Sequence, residues 1–426
     1  MLYNFLPHAL QYLLASYLSP QPPPTTSSSL TFSLRHEYGL NDASRTVFAD
    51  TPPSAQLSAQ TFTVDTSNVR THKLRSQYSS ASARLRGSRS DFSTWDEDEI
   101  IGPNVSDRNT LVTLAKMTSN SYYNGSGDKG WYDLGPEWNS SYPFGWEPDA
   151  DGFRGHIYAT PDNSTVVISV KGTSAGWMVG GGGPTQKKDK LNDNLLFSCC
   201  CARVGPTWWT VCDCFQGNNK CDQNCLEKSL VEDSLFYSVG TNLYNNVTYM
   251  YPDSDIWMIG HSLGGSLASL IGVTFGVPAV AFEAPGDKLA ASRLHLPLPP
   301  SLQHITHVYH TADPIPQGAC TGVSSPCALG GFALETRCHL GKVIRYDTVS
   351  KLGWSVSSRT HGILYVIEDL LSKDYDWSDD EGGESGEDRQ KLEVPRFTEE
   401  NECTDCFQWE FGEFRNLSTT GGSCGQ

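Results

Sequence analysis

Runs of apolar residues between positions 107 and 371 follow two spacings, and each spacing predicts one kind of element. Short, nearly continuous apolar runs indicate buried strands, whereas apolar residues three and four positions apart indicate helices. The predicted strands are 152–159, 165–170, 256–259, 277–282, 304–310 and 342–346, and the predicted helices follow Asp107 and cover 226–244, 263–271 and 362–371. This alternation predicts an α/β fold with a mainly parallel sheet and helices on both faces.

The N-terminal stretch lacks such a pattern. Residues 1–20 are apolar on average but are interrupted by polar residues, and no Lys or Arg precedes Arg35. They therefore predict a degenerate signal or membrane-anchor segment, unless the start of the protein lies upstream. Residues 21–99 are rich in Pro, Ser and Thr, and they predict a linker with docked pieces, one of them a short strand at 30–34.

The remaining residues divide into a globular part and a tail. We expect one α/β domain over 100–373, with a lid and a cysteine-rich insertion at 174–225. Residues 374–426 begin with an acidic run, which predicts a solvated loop. Cys403 and Cys406 follow this run, and we expect them to hold the tail against the domain.

The predicted strand at 256–259 leads into Gly260-His-Ser262-Leu-Gly264 and then into a helix. This arrangement predicts the tight strand-to-helix turn that presents a nucleophilic serine, although an ordinary tight turn is the alternative. A Cβ atom at Gly260 or Gly264 would strike the neighbouring strand or helix. Ser262 would thus stand at the tip of the turn. The backbone N–H of Leu263 would lie at the helix N-terminus, where it can bind a developing negative oxygen.

The strand at 165–170 ends in Lys171-Gly-Thr173-Ser174, ahead of this turn. This loop predicts an oxyanion hole, to which Thr173 can offer both its backbone N–H and its hydroxyl; a plain strand-end turn is the alternative. Residues 174–184 follow it and contain four consecutive glycines, so they predict a mobile lid or membrane-contact loop. Its apolar candidates are Trp177, Met178 and Val179. Packing of the tryptophan beneath the insertion is the alternative.

A serine nucleophile needs a base, and the base needs an acid that fixes its tautomer. In hydrolases with such a turn the order along the chain is Ser, acid, His. Asp313 follows a predicted strand and precedes a rigid Pro-Ile-Pro, so we prefer it to Asp287 as the acid. His361 lies in a loop after the last strand and directly before a helix, so we prefer it to His339 as the base. We interpret His310 as structural.

Charge and cysteine content indicate the compartment. The 426 residues carry a formal net charge of −17, which argues against binding to nucleic acid and against adhesion driven by anionic lipid. Thirteen cysteines, seven of them between Cys199 and Cys225, and several Asn-x-Ser/Thr sequons indicate the secretory route. Because the insertion holds no His, we expect disulfides rather than zinc, with one of the thirteen thiols left over, and no cofactor. The sequons are at Asn104, Asn124, Asn139, Asn163, Asn246 and Asn416.

Several motifs resemble those of a known family. The triacylglycerol lipases of filamentous fungi have stretches similar to Ile259-Gly-His-Ser-Leu-Gly-Gly265, Val170-Lys-Gly-Thr173 and Asp313-Pro-Ile-Pro316. The insertion with its Cys199-Cys-Cys201, together with Cys212-Asp-Cys-Phe215 and Phe282-Glu-Ala-Pro-Gly286, resembles more narrowly the autophagic-body lipases of fungal vacuoles. The resemblance implies an α/β-hydrolase fold, with Ser262 as nucleophile, Asp313 as acid and His361 as base.

The resemblance also implies a biological setting. It implies a single-pass type II glycoprotein that reaches the vacuole through endosomal multivesicular bodies and breaks down the membranes of autophagic bodies. Membrane phospholipids and triacylglycerols would be its substrates, and phosphoinositide binding is implied by the family alone. A hydrophobic signal anchor precedes the domain in the family, whereas residues 1–18 here are short and interrupted. We therefore expect a serine lipase or phospholipase. The alternatives are a secreted carboxylesterase for soluble esters and an inactive hydrolase fold that only binds lipid.

Overall fold

The computed structural model describes residues 28–40, 46–50, 62–74, 95–123, 132, 152–174, 186–200, 203–204, 209–233, 235–378 and 391–414. The strands in these ranges are β1 (Ser29–Leu40), β2 (Thr46–Asp50), β3 (Phe62–Leu74), β4 (Trp95–Pro103), β5 (Gly155–Ala159), β6 (Thr165–Val170), β7 (Arg203–Val204), β8 (Trp209–Thr210), β9 (Lys220–Asp222), β10 (Asp255–His261), β11 (Ala279–Phe282), β12 (Ile305–His310), β13 (Lys342–Tyr346), β14 (Thr398–Glu399) and β15 (Glu410–Gly412).

The helices in the same ranges are α1 (Arg108–Asn120), α2 (Gln186–Leu196), α3 (Gln223–Asp233), α4 (Leu235–Met250), α5 (Leu263–Phe275), α6 (Lys288–Arg293), α7 (Pro326–Gly330), α8 (Thr348–Leu352) and α9 (Ile363–Tyr365). A single 3₁₀ turn, Ser358–His361, precedes α9, and a π-helix, Val366–Leu371, continues it. No helix of the described ranges combines the length and the apolar character that crossing a membrane requires.

One large sheet organises these elements. Its strand order is β14-β13-β12-β11-β10-β6-β5-β1-β3-β4, with β2 paired to β1. The five strands β6 and β10 to β13 are mutually parallel, whereas the strands added on both sides are antiparallel. The predicted α/β sheet is thus confirmed, with its parallel part at the centre. Because parallel strands end at the same edge, the loops that leave these five strands are brought together there.

The sheet has a hydrophobic core on each face. Successive residues of β6 point to opposite faces: Val166 and Ile168 belong to one core, and Val167 belongs to the other. The first core lies beneath α2, α4 and α5, and the second lies beneath α1 and α9. Such two-sided burial explains why the central strands are continuous apolar runs that can be recognised in the sequence.

Four strands lie in or beside the stretch that the sequence analysis interprets as a linker, so the described part of residues 21–99 is mainly sheet. β1 pairs with β5 along an antiparallel ladder, and Phe32 and Val64 are fully buried. In β3, the other inward residues are polar, among them Thr71, whose hydroxyl donates to the Gly276 carbonyl at 2.7 Å. Polar residues at buried positions hide the alternation on which the strand prediction depends.

Two helix predictions can be compared directly with the structure. Asp107 caps α1 as predicted, because its carboxylate accepts the N–H of Thr110 at 2.6 Å. The helix expected over 226–244 corresponds to α3 and α4, which lie on either side of residue 234, a position outside the described residues.

Disulfides hold the cysteine-rich insertion, as predicted. Cys200 bonds Cys221 and Cys214 bonds Cys225 within it. Cys212 is disulfide-bonded as well. Cys201 lies outside the described residues.

The tail is held by two further bonds, Cys199–Cys406 and Cys338–Cys403, which confirm that it is attached to the domain. Pairing of β15 with β9 in parallel continues this attachment. Of the acidic run, residues 379–390 lie outside the described ranges.

We predict that the Cys199–Cys406 bond contributes more to stability than the Cys320–Cys327 bond. In the chain-entropy model, stabilisation grows with the closed loop, to about 5 kcal/mol for a separation of 207 and about 2 kcal/mol for a separation of 7. Denaturant unfolding of the Cys199→Ser/Cys406→Ser and Cys320→Ser/Cys327→Ser proteins measures both values. Equal losses in the two double variants would contradict the prediction.

Candidate active site

Ser262 lies in a tight turn between β10 and α5, with backbone angles of φ 56° and ψ −130°. Such a conformation costs a non-glycine residue about 1–3 kcal/mol and persists only where the surroundings enforce it. The surroundings here are backbone: a Cβ at Gly260 would lie 2.3 Å from the Gly264 oxygen, and one at Gly264 would lie 2.3 Å from the Val170 oxygen. The predicted requirement for both glycines is therefore confirmed.

The structure brings Ser262, His361 and Asp313 together in a chain of hydrogen bonds. His361 Nε2 lies 2.9 Å from the Ser262 hydroxyl, and His361 Nδ1 lies 2.6 Å from Asp313 Oδ2. Because the carboxylate can only accept, Nδ1 carries the proton and Nε2 is free to accept from the serine. Ser262 is 5% exposed, His361 1% and Asp313 0%. The three side chains come from the ends of β10 and β12 and from the segment after β13.

Local contacts hold Asp313 in its ionised form. Its Oδ1 accepts the backbone N–H of Ile315 at 2.9 Å. Burial by itself would raise the pKa of the Asp313 carboxyl, but the charge and hydrogen bond of His361 and the Ile315 N–H lower that pKa below its ordinary value. An ionised Asp313 can both orient His361 and stabilise its protonated form.

His261, which precedes Ser262 in the turn, contacts the backbone of the candidate base His361. Its Nε2 donates to the His361 carbonyl at 2.7 Å, and its Nδ1 accepts from the Tyr122 hydroxyl at 2.6 Å. Burial lowers the pKa of His261 to about 3, so it stays neutral and keeps this tautomer. The sequence analysis did not assign His261 a role, although its position next to the serine was a usable signal.

The residues considered as alternatives lie in other contacts. His339 Nδ1 lies 3.1 Å from Glu400, and its Nε2 donates to the Ala284 carbonyl. Asp287 faces His307, with 3.2 Å between Oδ2 and Nε2. His310 Nε2 donates to the Thr360 carbonyl at 3.1 Å. None of these three reaches Ser262 in the described structure, which leaves Asp313 and His361 as the acid and base that the geometry supports.

The loop after β6 lies directly against the nucleophile turn. A Cβ at Gly172 would be 2.3 Å from the His261 oxygen and 3.1 Å from the Ser262 Cβ. The Thr173 hydroxyl donates to Asp193 Oδ2 at 2.5 Å, so it orders the loop and is not the free donor that the sequence analysis expected. The backbone N–H of Thr173 remains the candidate on this side, opposite the N–H of Leu263 at the start of α5.

Helix α2 supplies a buried charge cluster that holds this loop. Asp189 Oδ2 accepts the Ser174 N–H at 2.7 Å and lies 3.5 Å from the Lys171 ammonium. The Lys171 ammonium in turn donates to the Gly172 carbonyl at 2.8 Å. Asp189 and Asp193 are one helical turn apart, so both carboxyls face the loop. Sequence reasoning missed both, because a run of charges on a helix is usually interpreted as a solvated face.

Some predicted site residues cannot be placed. Trp177, Met178 and Val179 lie outside the described residues, as do the sequons at Asn124, Asn139 and Asn416. Asn163 and Asn246 are exposed, as glycan attachment requires, and Asn104 is partly exposed. In the described ranges, no group of three His, Cys, Asp or Glu side chains is arranged to bind a metal ion.

Comparison with known proteins identifies the family. A family model described as Lipase (class 3) matches residues 228–321. Curated fungal proteins that carry the name lipase ATG15 match more of the chain. The Cryptococcus neoformans (strain B-3501A) protein is 50% identical over 370 residues, 75% of this chain and 70% of its own. The Mycosarcoma maydis protein is 44% identical over 364 residues, 74% of this chain and 69% of its own. Among solved structures, Lip2 lipase from Yarrowia lipolytica aligns with a TM-score of 0.29 and 16% identity, covering 56% of this chain and 78% of that one.

The parallel sheet covered on both faces, with a nucleophile turn at its carboxyl edge, defines an α/β-hydrolase. The 50% identity to the Cryptococcus protein, over 75% of this chain, shows the family within that class. The chain belongs to the ATG15 family of fungal lipases.

We predict that Asp193→Asn makes stability less dependent on pH. Burial, as the largest cause, raises the pKa of Asp193 from 3.8 to about 8. The folded protein therefore binds this proton more tightly than the unfolded chain does. The resulting stabilisation is complete at low pH and is lost as the pH rises towards the folded value. The asparagine side chain does not titrate, so the variant has no such loss. Its melting temperature relative to that of wild type should therefore rise as the pH increases from about 4 to about 8. The exposed Asp253→Asn is the control, and parallel curves for Asp193→Asn and wild type would contradict the prediction.

Proposed function

We propose that this protein is a serine lipase that hydrolyses glycerolipid esters of intravacuolar vesicle membranes. The observation that carries the proposal is the buried hydrogen-bond chain from Ser262 through His361 to Asp313. Membership in a lipase family supports ester hydrolysis, and the geometry supports these three residues as the means.

The proposed reaction follows from the position of each proton. His361 Nε2 accepts the Ser262 proton as the serine oxygen attacks the ester carbonyl, and Asp313 stabilises the imidazolium that forms. The N–H groups of Leu263 and Thr173 bind the oxyanion. His361 then donates the proton to the departing alcohol, which leaves an acyl group on Ser262. A water molecule, deprotonated by His361, releases this acyl group and restores the serine.

An apolar rim supports a membrane substrate. We define it as Val323, Leu329 and Val356, which are 72%, 60% and 58% exposed. Val323 lies in the loop closed by the Cys320–Cys327 disulfide, and Leu329 lies in α7 just after it. Val356 precedes His361 by five residues in the chain.

Hydrogen bonds connect the segment that follows Leu329 to the site. The amide of Asn194 bonds both the Gly331 carbonyl, at 2.9 Å, and the Ala333 N–H, at 2.7 Å. Its neighbour Asp193 holds Thr173 in the proposed oxyanion loop. With a net charge of −17, the protein would have to approach a bilayer by apolar contact rather than by charge attraction. We propose that the rim, together with Trp177, Met178 and Val179 as a lid, makes this contact.

The proposed setting is the secretory route to the endosome and vacuole lumen. Disulfides persist in oxidising compartments, and those of the described residues support that route. Phospholipids and triacylglycerols of autophagic bodies and multivesicular-body vesicles are the proposed substrates. Hydrolysis of soluble esters alone, as by a secreted carboxylesterase, and lipid binding without hydrolysis are the outcomes that would replace this proposal.

The central prediction is that Ser262→Ala abolishes hydrolysis of phospholipid vesicles and of a short soluble ester. The loss should be on the order of 10⁶-fold if the residues act as a unit, because the serine supplies the attacking oxygen. His361→Ala should lose as much. His339 is buried but does not belong to the hydrogen-bonded set of Ser262, His361 and Asp313. His339→Ala should therefore lower the melting temperature and keep most activity. More than a tenth of wild-type activity in Ser262→Ala would disprove the assignment.

A second prediction concerns membrane contact. Val323→Ser/Leu329→Ser and, separately, Trp177→Ser should reduce vesicle hydrolysis several-fold and leave the soluble ester nearly unchanged, because only the vesicle requires insertion of apolar side chains. Tyr249→Ser is the control. Tyr249 is 88% exposed, and it lies near the end of α4 that leads to the start of β10, whereas Ser262 follows the opposite end of that strand. Equal loss on both substrates would instead indicate packing defects.

A further inference from the structure

The backbone that carries the proposed base is a single 3₁₀ turn, Ser358–His361, which ends at His361 itself. So short a turn makes few hydrogen bonds of its own, and its position therefore depends on its neighbours. Two buried imidazoles support it. His310 Nε2 donates to the Thr360 carbonyl at 3.1 Å, and His261 Nε2 donates to the next carbonyl, that of His361, at 2.7 Å. The second of these bonds acts on the base directly.

His261 also lies against the side chain of the base. Its imidazole is fully buried, and its ring centroid is 4.7 Å from that of His361. Because β10 ends at His261 and Ser262 follows it, the strand end that presents the nucleophile also supports the base. A shift of the His261 ring would therefore change the distance between His361 Nε2 and the Ser262 hydroxyl, which is 2.9 Å.

Only one tautomer of His261 can make this contact. A carbonyl oxygen can only accept, so Nε2 must carry the proton. Burial lowers the pKa of His261 to about 3, so the ring holds no second proton and Nδ1 is an acceptor. The Tyr122 hydroxyl, 2.6 Å from Nδ1, donates to it. Because the hydrogen bond at one ring nitrogen decides which nitrogen is protonated, Tyr122 favours the tautomer that bonds the His361 carbonyl.

Tyr122 is itself held in place, just after the end of α1. The neighbouring Ser121 hydroxyl is 2.7 Å from the Ser169 hydroxyl of β6, and both serines are fully buried. The Lys171 ammonium lies 5.6 Å from the centroid of the Tyr122 ring. A Cβ at Gly172 would lie 2.2 Å from the Tyr122 hydroxyl oxygen, so backbone packs closely against this group. The hydroxyl is therefore a fixed point for the imidazole.

We propose that Tyr122 and His261 are a positioning pair, in which the tyrosine hydroxyl fixes the imidazole and the imidazole holds the base at the distance from Ser262 that proton transfer requires. Neither side chain has to touch the substrate. The reaction is sensitive to this distance, since a misplacement of roughly 1 Å can cost about 100-fold in rate. The inference rests on the proposed function of Ser262 as nucleophile and His361 as base.

Two substitutions of His261 separate the two bonds of its ring. Glutamine places its amide N–H near the position of Nε2 and can still donate to the His361 carbonyl. Asparagine places its amide near Nδ1 and reaches only Tyr122. The readouts are kcat and KM on a short soluble ester, with melting temperatures to verify folding. We expect His261→Gln to stay within about threefold of wild-type kcat and His261→Asn to lose about 30-fold, with KM nearly unchanged in both.

Tyr122→Phe tests the other half of the pair. We expect about a tenfold loss of kcat in the wild-type background but little further loss in the His261→Gln background, because an amide has no tautomer to be fixed. Tyr158→Phe is the control. The Tyr158 hydroxyl also bonds α1, donating to the Met117 carbonyl at 3.2 Å, but it comes from β5, two strands away from β10. Its removal should cost stability and leave kcat unchanged.

Equal kcat losses in His261→Gln and His261→Asn, or additive losses of Tyr122→Phe and His261→Gln, would overturn the inference. If either His261 variant does not fold, Tyr122→Phe decides alone, and a kcat equal to that of wild type overturns it. The rate at which a phosphonate labels Ser262 measures the same positioning without acyl turnover. Ser262→Ala in parallel separates the two hypotheses. Activity retained there refutes the proposed function, whereas lost activity together with equal His261 variants refutes only the role of the pair.

Discussion

The close backbone contact between β10, α5 and the end of β6 is the constraint on which the site depends. Gly260 and Gly264 allow the strand and helix to approach until no Cβ would fit between them, and this approach forces Ser262 into its positive φ. The same contact places the Thr173 loop against the serine. Nucleophile, candidate oxyanion donors and the start of α5 are therefore positioned by one packing arrangement, and a shift of any of them would disturb the others.

Buried charge around this turn is extensive, and each charged group has a specific partner. Lys171 and Asp189 hold the loop on one side, and Asp313 bonds His361 on the other. Burying such groups costs free energy. Removing one partner of a buried pair destabilises the fold much more, because the other charge is then left uncompensated. Burial of Asp193, which raises the pKa of its carboxyl to about 8, also links the protonation of this cluster to the stability of the fold.

The parts that sequence reasoning could predict share a physical basis. β13 was predicted to the residue because Val343, Ile344 and Tyr346 form a buried apolar run, and Asp313 and His361 were preferred because the acid and base follow strand ends. β3 was missed because Thr71 and other polar residues occupy its buried positions. Asp193 was missed for a different reason. Its role depends on a contact with Thr173, 20 positions away, which no local pattern records.

The attachment of the tail has a consequence for how the protein responds to proteolysis. Cys338–Cys403 and Cys199–Cys406 join residues 391–414 covalently to the domain, and β14 and β15 add hydrogen-bonded pairs on either side of them. A cut anywhere between residues 378 and 391 would therefore produce two chains but not two particles. The nicked protein would keep Ser262, Asp313 and His361 in one fragment, and the other fragment would still cover the same surface. Cleavage at that point changes the length of the polypeptide without dismantling the enzyme.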